Sequence, residues 1–193
     1  MGEAEYSLKV KPLKTRNECG DMGFIKEFDK KIFIGLVDAA GHNKNSYRIT
    51  LKIQEYLCNN YRKDLIEIVE GLHEHMKGSN GAVISLCTLD LKNGQLKYVG
   101  VGDVTAMILG SVSHRLFSKP GVIGYAMPTP IEDTNILRHG DVLLLYTDGV
   151  KDHFYSEDYS YILSKETKTV ADHIIFQLGK KTDDAACIVL KYK

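Results

Sequence analysis

Three apolar runs in this chain of 193 residues are each fenced by aspartate, and that pattern limits the folds open to it. Residues 31–37 (KIFIGLV) end at Asp38, residues 141–147 (DVLLLYT) end at Asp148-Gly149, and Asp183-Asp184 open residues 185–190 (AACIVL). Short, nearly continuous apolar runs bounded by turn residues read as strands buried on both faces. An ionised carboxylate beside such a core needs a partner. If the last strand runs antiparallel to the other two, its start lies where they finish, and the carboxylates converge on one rim. Like charges so gathered repel unless a cation sits among them. The ligands are all oxygens, with no Cys/His pair at ligand spacing, which selects a hard ion, Mg²⁺ or Mn²⁺. The plainer alternative is that these are ordinary turn residues, Asp-Gly being a common turn.

The rest of the chain alternates helix pairs with hairpin-linked strands. Residues 46–61 read as a helix, with Ser46 at its N-cap and Ile49, Ile53, Tyr56 and Leu57 on one face. Residues 64–77 form a second, where Asp64 and Glu67 resemble a capping box and Gly78 sits at the exit. Strands at 82–91 and 95–101 flank Asn93-Gly94, a two-residue hairpin signal. Another strand covers 104–109, and 113–118 adds an edge. Residues 119–130, with three of the four prolines, are an irregular loop. A last helix spans 169–178, capped by Thr169. Sequential, hairpin-linked strands with paired helices favour α+β layers over a parallel doubly wound sheet.

Composition narrows the function by exclusion. With 25 basic and 25 acidic side chains, the chain has no net charge to draw duplex DNA or an anionic membrane. No apolar run approaches the roughly 20 residues that span a bilayer, and the first residues lack the apolar segment of a signal peptide. Cys19, Cys58, Cys87 and Cys187 form no C-x-x-C pair; four scattered thiols fit a reducing cytoplasm. A cysteine-based phosphatase needs Arg six residues after its nucleophile, and those positions hold Ile25, Asp64, Asn93 and Lys193. His73-Glu74-His75 reads as structural, because i,i+2 residues diverge on a helix. Gly100-x-Gly102 lacks the third glycine of a dinucleotide loop, and the tyrosines of 155–161 read as a partly packed loop.

The order Asp21 … Asp38-Ala-Ala-Gly … Gly102-Asp103 … Gly140-Asp-Val-Leu-Leu-Leu-Tyr-Thr-Asp148-Gly-Val … Asp183-Asp184-Ala-Ala resembles the metal-dependent PPM protein serine/threonine phosphatases. It is most similar to their SpoIIE-like branch and, within it, to the stand-alone stressosome type. The resemblance runs over about residues 15–190 of a single domain, 1–193. It implies a four-layer αββα sandwich, two antiparallel sheets flanked by helix pairs, with two Mn²⁺ or Mg²⁺ ions at one end. Carried over by position, Asp38 would bridge the ions, Asp148 and Asp183 would complete the first, and the Ala39 carbonyl would serve the second. Asp21 would hold a metal through water, and Asp103 matches a position that can help hold a third ion. Arg16 lies where some members place a phosphate-binding arginine, a side chain suited to phosphate geometry; a plain solvated basic stretch with Lys9, Lys11 and Lys14 is the alternative.

The activity so implied is hydrolysis of phosphoserine or phosphothreonine by a metal-activated water, without a phosphoenzyme. The substrates would be stressosome and STAS-domain phosphoproteins, met in the cytoplasm by a monomer that is all catalytic domain and carries no sensor or anchor. Four positions depart from the pattern. Asp38-Ala39-Ala40-Gly41 stands for D-G-x-G, and Ala40 replaces a histidine proposed as general acid, a role His42 could take only if its loop turns inward. Gly20 replaces an acidic residue, and Ala186 a hydroxyl. These changes motivate a rival, a pseudophosphatase that docks phosphoproteins without hydrolysing them; retention of mutually repelling carboxylates argues against it. A metal-dependent nuclease would want a basic groove that the charge balance does not advertise.

Overall fold

The alternation inside KIFIGLV explains the layering. In the strand it forms, Ile32, Ile34 and Leu36 face one buried cluster while Phe33 and Val37 face another, so one sheet is covered on both sides. The computed structural model describes residues 2–15, 18–41, 44–152 and 156–193, without the side chains of Ser156 and Glu157. Its strands are β1 (Ala4–Lys11), β2 (Asp21–Phe28), β3 (Lys31–Ala39), β4 (Ala82–Asp90), β5 (Gln95–Val101), β6 (Thr105–Leu109), β7 (His114–Arg115), β8 (Ser118–Lys119), β9 (Asp133–Ile136), β10 (Val142–Tyr146) and β11 (Ala185–Tyr192). Helices α1 (Lys44–Asn60) and α2 (Leu65–His75) follow β3. Helices α3 (Ser156–Ser164) and α4 (Thr167–His173) precede β11, and α4 runs on into a π-helical turn, Ile174–Leu178.

One sheet has the order β1-β11-β10-β6-β7, the other β2-β3-β4-β5-β8, with β9 also on β5. Every pairing is antiparallel except the two-residue contact of β5 with β8. Between the sheets, Ile32, Ile34 and Leu36 meet Leu143, Leu145, Ile188 and Leu190. On the outer faces, Ile53, Leu57, Ile68 and Leu72 of α1 and α2 cover β3 and β4. Val170, Ile174 and Ile175 cover Leu144 and Val189. The four-layer αββα sandwich follows from these three buried layers.

Several local expectations shift. Helix α1 starts at Lys44, so Ser46 is a buried residue of its first turn and not the cap. Asp64 does cap α2, accepting from the Ile66 N–H at 3.1 Å, but Glu67 pairs with Lys63 at 2.6 Å and closes no capping box. Asn93-Gly94 lies in a longer loop: Leu89 and Leu96 form the last pair, and the Gly94 N–H reaches Asp90 O at 2.9 Å. The two-residue hairpin is at Asp29-Lys30, both in the left-handed region (φ 45° and 62°), where Phe28 pairs with Lys31. Thr169 lies inside α4, which begins at Thr167. Tyr159 and Tyr161 sit on helix α3 and not in a loop, with Tyr161 stacked on His173 at 4.6 Å between centroids; Tyr155 lies outside the described residues. His73 and His75 are structural: His73 Nδ1 accepts from the Gly124 N–H at 3.1 Å, and His75 stacks on Tyr56.

Candidate metal centre

Strand register brings the acidic residues to one end of the sandwich. Asp21 opens β2 directly opposite Asp38 near the end of β3, and Asp38 faces Val83 on β4. Asp103 follows the end of β5, whose Val101 pairs with Ile84, the neighbour of Val83. In the other sheet Tyr146 pairs with Cys187, so Asp148 leaves β10 where Asp183 and Asp184 enter β11. The antiparallel run of β10 and β11 is the arrangement the sequence pattern requires.

A hydroxyl ties the two sheets together at this rim. Thr147, fully buried between β10 and Asp148, donates from Oγ1 to Asp21 Oδ2 at 2.7 Å. The same Oγ1 accepts from the Ala186 N–H at 2.9 Å. Asp21 is thereby held from across the sandwich, its carboxylate aimed by a residue on the opposite sheet. In the sequence Thr147 is marked only as a lone threonine between an apolar strand and Asp-Gly.

Asp183 and Asp184, adjacent in sequence, separate in role. Asp184 is buried and accepts from two backbone donors, Leu13 N at 2.6 Å and Gly20 N at 2.9 Å. It fastens the segment that leads into Asp21 to the start of β11. Asp183 stands half-exposed at the rim, while Asp148 and Asp103 are exposed and Asp38 is partly buried. Gly149 is needed for this packing, since a Cβ there would stand 1.6 Å from the Asp184 carbonyl oxygen. Gly20 is comparably tight: a Cβ would lie 2.7 Å from the Ala39 oxygen and 2.9 Å from that of Gly41. The Ala39 N–H donates to Gly20 O at 3.0 Å, and Ala39 keeps a φ open to an L-residue. Arg16 and His42 lie outside the described residues.

The electrostatics of the rim are those of crowded, partly desolvated anions. Burial, then the charges of Asp148, Asp103, Asp183 and Asp184, push the Asp38 carboxyl up to about 7. Burial and the Asp38 charge hold Asp21 well above the usual carboxylate range, against the opposing pull of the Thr147 hydroxyl. Among the described residues no lysine or arginine pairs with Asp21, Asp38, Asp103 or Asp148. Nor, among the described residues, do three acidic, histidine or cysteine side chains already stand together at ligand spacing. The donor set is oxygen only, and it suits a hard divalent cation that would offset the repulsion. The thiols take no part in it. All four are unbridged, and burial pushes the Cys19 and Cys187 thiols up to about 12, far from a nucleophilic thiolate.

Known proteins share this fold. Residues 29–193 match the family model described as stage II sporulation protein E (SpoIIE). The chain is 26% identical over 174 residues to phosphoserine phosphatase RsbX of Bacillus subtilis (strain 168), spanning 84% of this chain and 87% of that protein. Its fold is similar to that of RsbX in complex with magnesium, with a TM-score of 0.86, 18% identity and full coverage of both chains. It is similar also to a chain solved in work on the bacterial stressosome as a modular system adapted to control secondary messenger signalling. There the TM-score is 0.90 at 22% identity, over 98% of this chain and 100% of the other.

Proposed function

The chain belongs to the SpoIIE family of phosphatases, and from that premise we propose that it is a divalent-metal-dependent phosphoprotein phosphatase. Its substrates are phosphoserine or phosphothreonine residues of partner-switching proteins of the stressosome, STAS-domain type. The observation that carries this reading is the rim itself: strand register gathers carboxylates from both sheets at one end, and Asp21 and Asp38 there are raised by burial and by neighbouring carboxylate charge, with no lysine or arginine paired to Asp21, Asp38, Asp103 or Asp148 among the described residues. RsbX, a phosphoserine phosphatase whose structure holds magnesium, supports both the reaction and the ion class.

In this reading Asp38 would contribute to holding both of two Mn²⁺ or Mg²⁺ ions, Asp148 and Asp183 would help hold the first, and the Ala39 carbonyl the second. Asp21 would act through water, and Asp103 would help hold a third ion. Bound ions supply a lowered water pKa and neutralise phosphoryl charge. Thr147 fixes the Asp21 carboxylate and Asp184 fixes the approach to it, so this shell is set before substrate arrives. Arg16 is assigned to phosphoryl oxygens and His42 to the leaving-group proton, both from position in the sequence alone. The domain acts as a monomer on partners in the cytoplasm, and its four unbridged thiols support that compartment. No helix among the described residues is long and apolar enough to cross a membrane.

The test is turnover of a phosphorylated STAS-domain protein with and without Mn²⁺, comparing wild type with Asp38→Asn and Asp148→Asn. Metal-dependent turnover lost in both variants is expected; metal-independent turnover, or full activity in both, would sink the mechanism. Gly20 and Ala40 favour a second reading, a docking module without hydrolysis. Phosphate-dependent binding with no turnover would establish it.

A further inference from the structure

One edge of the sandwich holds two strands that pair on one side only. Strand β2 bonds to β3 and β1 bonds to β11, and each ends its sheet. They meet without a ladder between them: a Cβ at Gly23 of β2 would touch Leu8 of β1 at 2.2 Å. Along this edge run two adjoining clefts of about 420 and 680 Å³, which share Leu8, Gly23 and Gln54. Leu8 and Val10 of β1 line one wall, Leu51 and Gln54 of α1 the other. Tyr6, Leu8 and Leu51 are exposed here, at 36%, 39% and 45%. A free strand edge is a template for another extended chain.

The groove is continuous with the metal centre, because Asp21 lines its inner end and is the first residue of β2. At about 3.3 Å per residue, the stretch from Asp21 to Phe24 offers roughly 10 Å of pairing edge leading away from the carboxylates. A chain paired there would direct alternate side chains toward Leu8 and Val10 on one wall and toward Leu51 and Gln54 on the other. Backbone pairing of this kind gives affinity with little sequence demand, and the walls supply preference. With 25 basic and 25 acidic residues overall, the chain offers no general attraction to a polyanion that would compete for the surface.

We propose that this groove binds the extended polypeptide flanking the phosphoserine of the substrate, as an added strand on the free edge of β2 that delivers the phosphate to the Asp21–Asp38 rim. The proposal rests on the phosphatase reading and deepens it. Its test compares kcat/KM for a pool of ten-residue phosphoserine peptides with randomised flanks against N-acetyl-phosphoserine amide, which has the same leaving group and no flanks. The peptides are expected to exceed the amide at least tenfold. Leu51→Glu and, separately, Gln54→Arg, both on the helix side of the groove, should collapse that ratio. Backbone N-methylation of the peptide flank should reduce turnover at one parity of positions only, a signature that a nonspecific apolar contact would not give. Hydrolysis of both substrates at equal kcat/KM, a ratio that survives both variants, or indifference to N-methylation overturns the groove and leaves the phosphatase standing. Absence of metal-dependent hydrolysis of either substrate overturns the phosphatase reading, and the groove proposal falls with it.

Discussion

Replacing Thr147 with valine isolates the hydroxyl that ties the two sheets together at the rim. Valine keeps the branched shape in a fully buried site, so the change removes hydrogen bonds and little packing. Two bonds go: the donation to Asp21 Oδ2 at 2.7 Å and the acceptance from the Ala186 N–H at 2.9 Å. Losing a bond to a carboxyl costs about 1–3 kcal/mol according to its charge, and stranding a buried N–H costs about 1–3 kcal/mol more. The expected loss is about 2–6 kcal/mol, a large share of the roughly 5–15 kcal/mol that holds a domain folded. With a urea slope of about 2 kcal/mol/M, the unfolding midpoint falls by about 1–3 M. Thr147→Ser keeps the hydroxyl and should lose only about 1 kcal/mol, the value of a buried methyl group. A valine variant as stable as wild type, or a serine variant as weak as valine, would refute the assignment of this hydroxyl as the tie.

Four further outcomes are expected. Gly149→Ala drives a Cβ against the Asp184 carbonyl and should cost about 3 kcal/mol or more. Gly140→Ala, at φ +91° in open space, should cost about 1–2 kcal/mol by the same urea assay. Mn²⁺ at a hundredfold excess over its Kd should stabilise wild type by about 2.7 kcal/mol, and Asp38→Asn or Asp148→Asn should abolish that gain in calorimetry without any turnover measured. Glu5 is held down to about 2, first by its hydrogen bond with Lys193 and then by the Thr167 N–H. A depressed carboxylate contributes stability above its unfolded pKa and loses it as pH falls toward the folded value. The urea midpoints of wild type and Glu5→Gln should therefore differ at pH 6 and converge by about pH 2.

What the sequence made legible was whatever its own periodicity encodes. KIFIGLV, DVLLLYT and AACIVL became strands because both faces of each are buried, and the aspartates at their ends met because β10 and β11 run antiparallel. The edge strands β1 and β2 went unread: one face of each is only partly covered, so Tyr6, Leu8 and Gly23 carry no strong pattern. The hairpin at Asp29-Lys30 lacks the glycine that marks such turns, whereas Asn93-Gly94, which has it, serves a longer loop. Within the site, the register carried Asp38, Asp148 and Asp183 to the rim, but the supports came from afar. Thr147 lies 126 residues from Asp21 and Asp184 lies 164 from Gly20, separations that only the folded chain closes.

The contact of Gly20 with the Ala39 carbonyl has a consequence for engineering. Two departures from the family pattern, glycine where an acid is usual and Ala39 where glycine is usual, meet in a single volume. An acidic side chain at 20 would begin with a Cβ 2.7 Å from the Ala39 oxygen and 2.9 Å from that of Gly41. The positions are therefore coupled by geometry. A library that randomises residue 20 alone should return glycine, while one that randomises 20 together with 39–41 should return acids only in the company of a rebuilt loop.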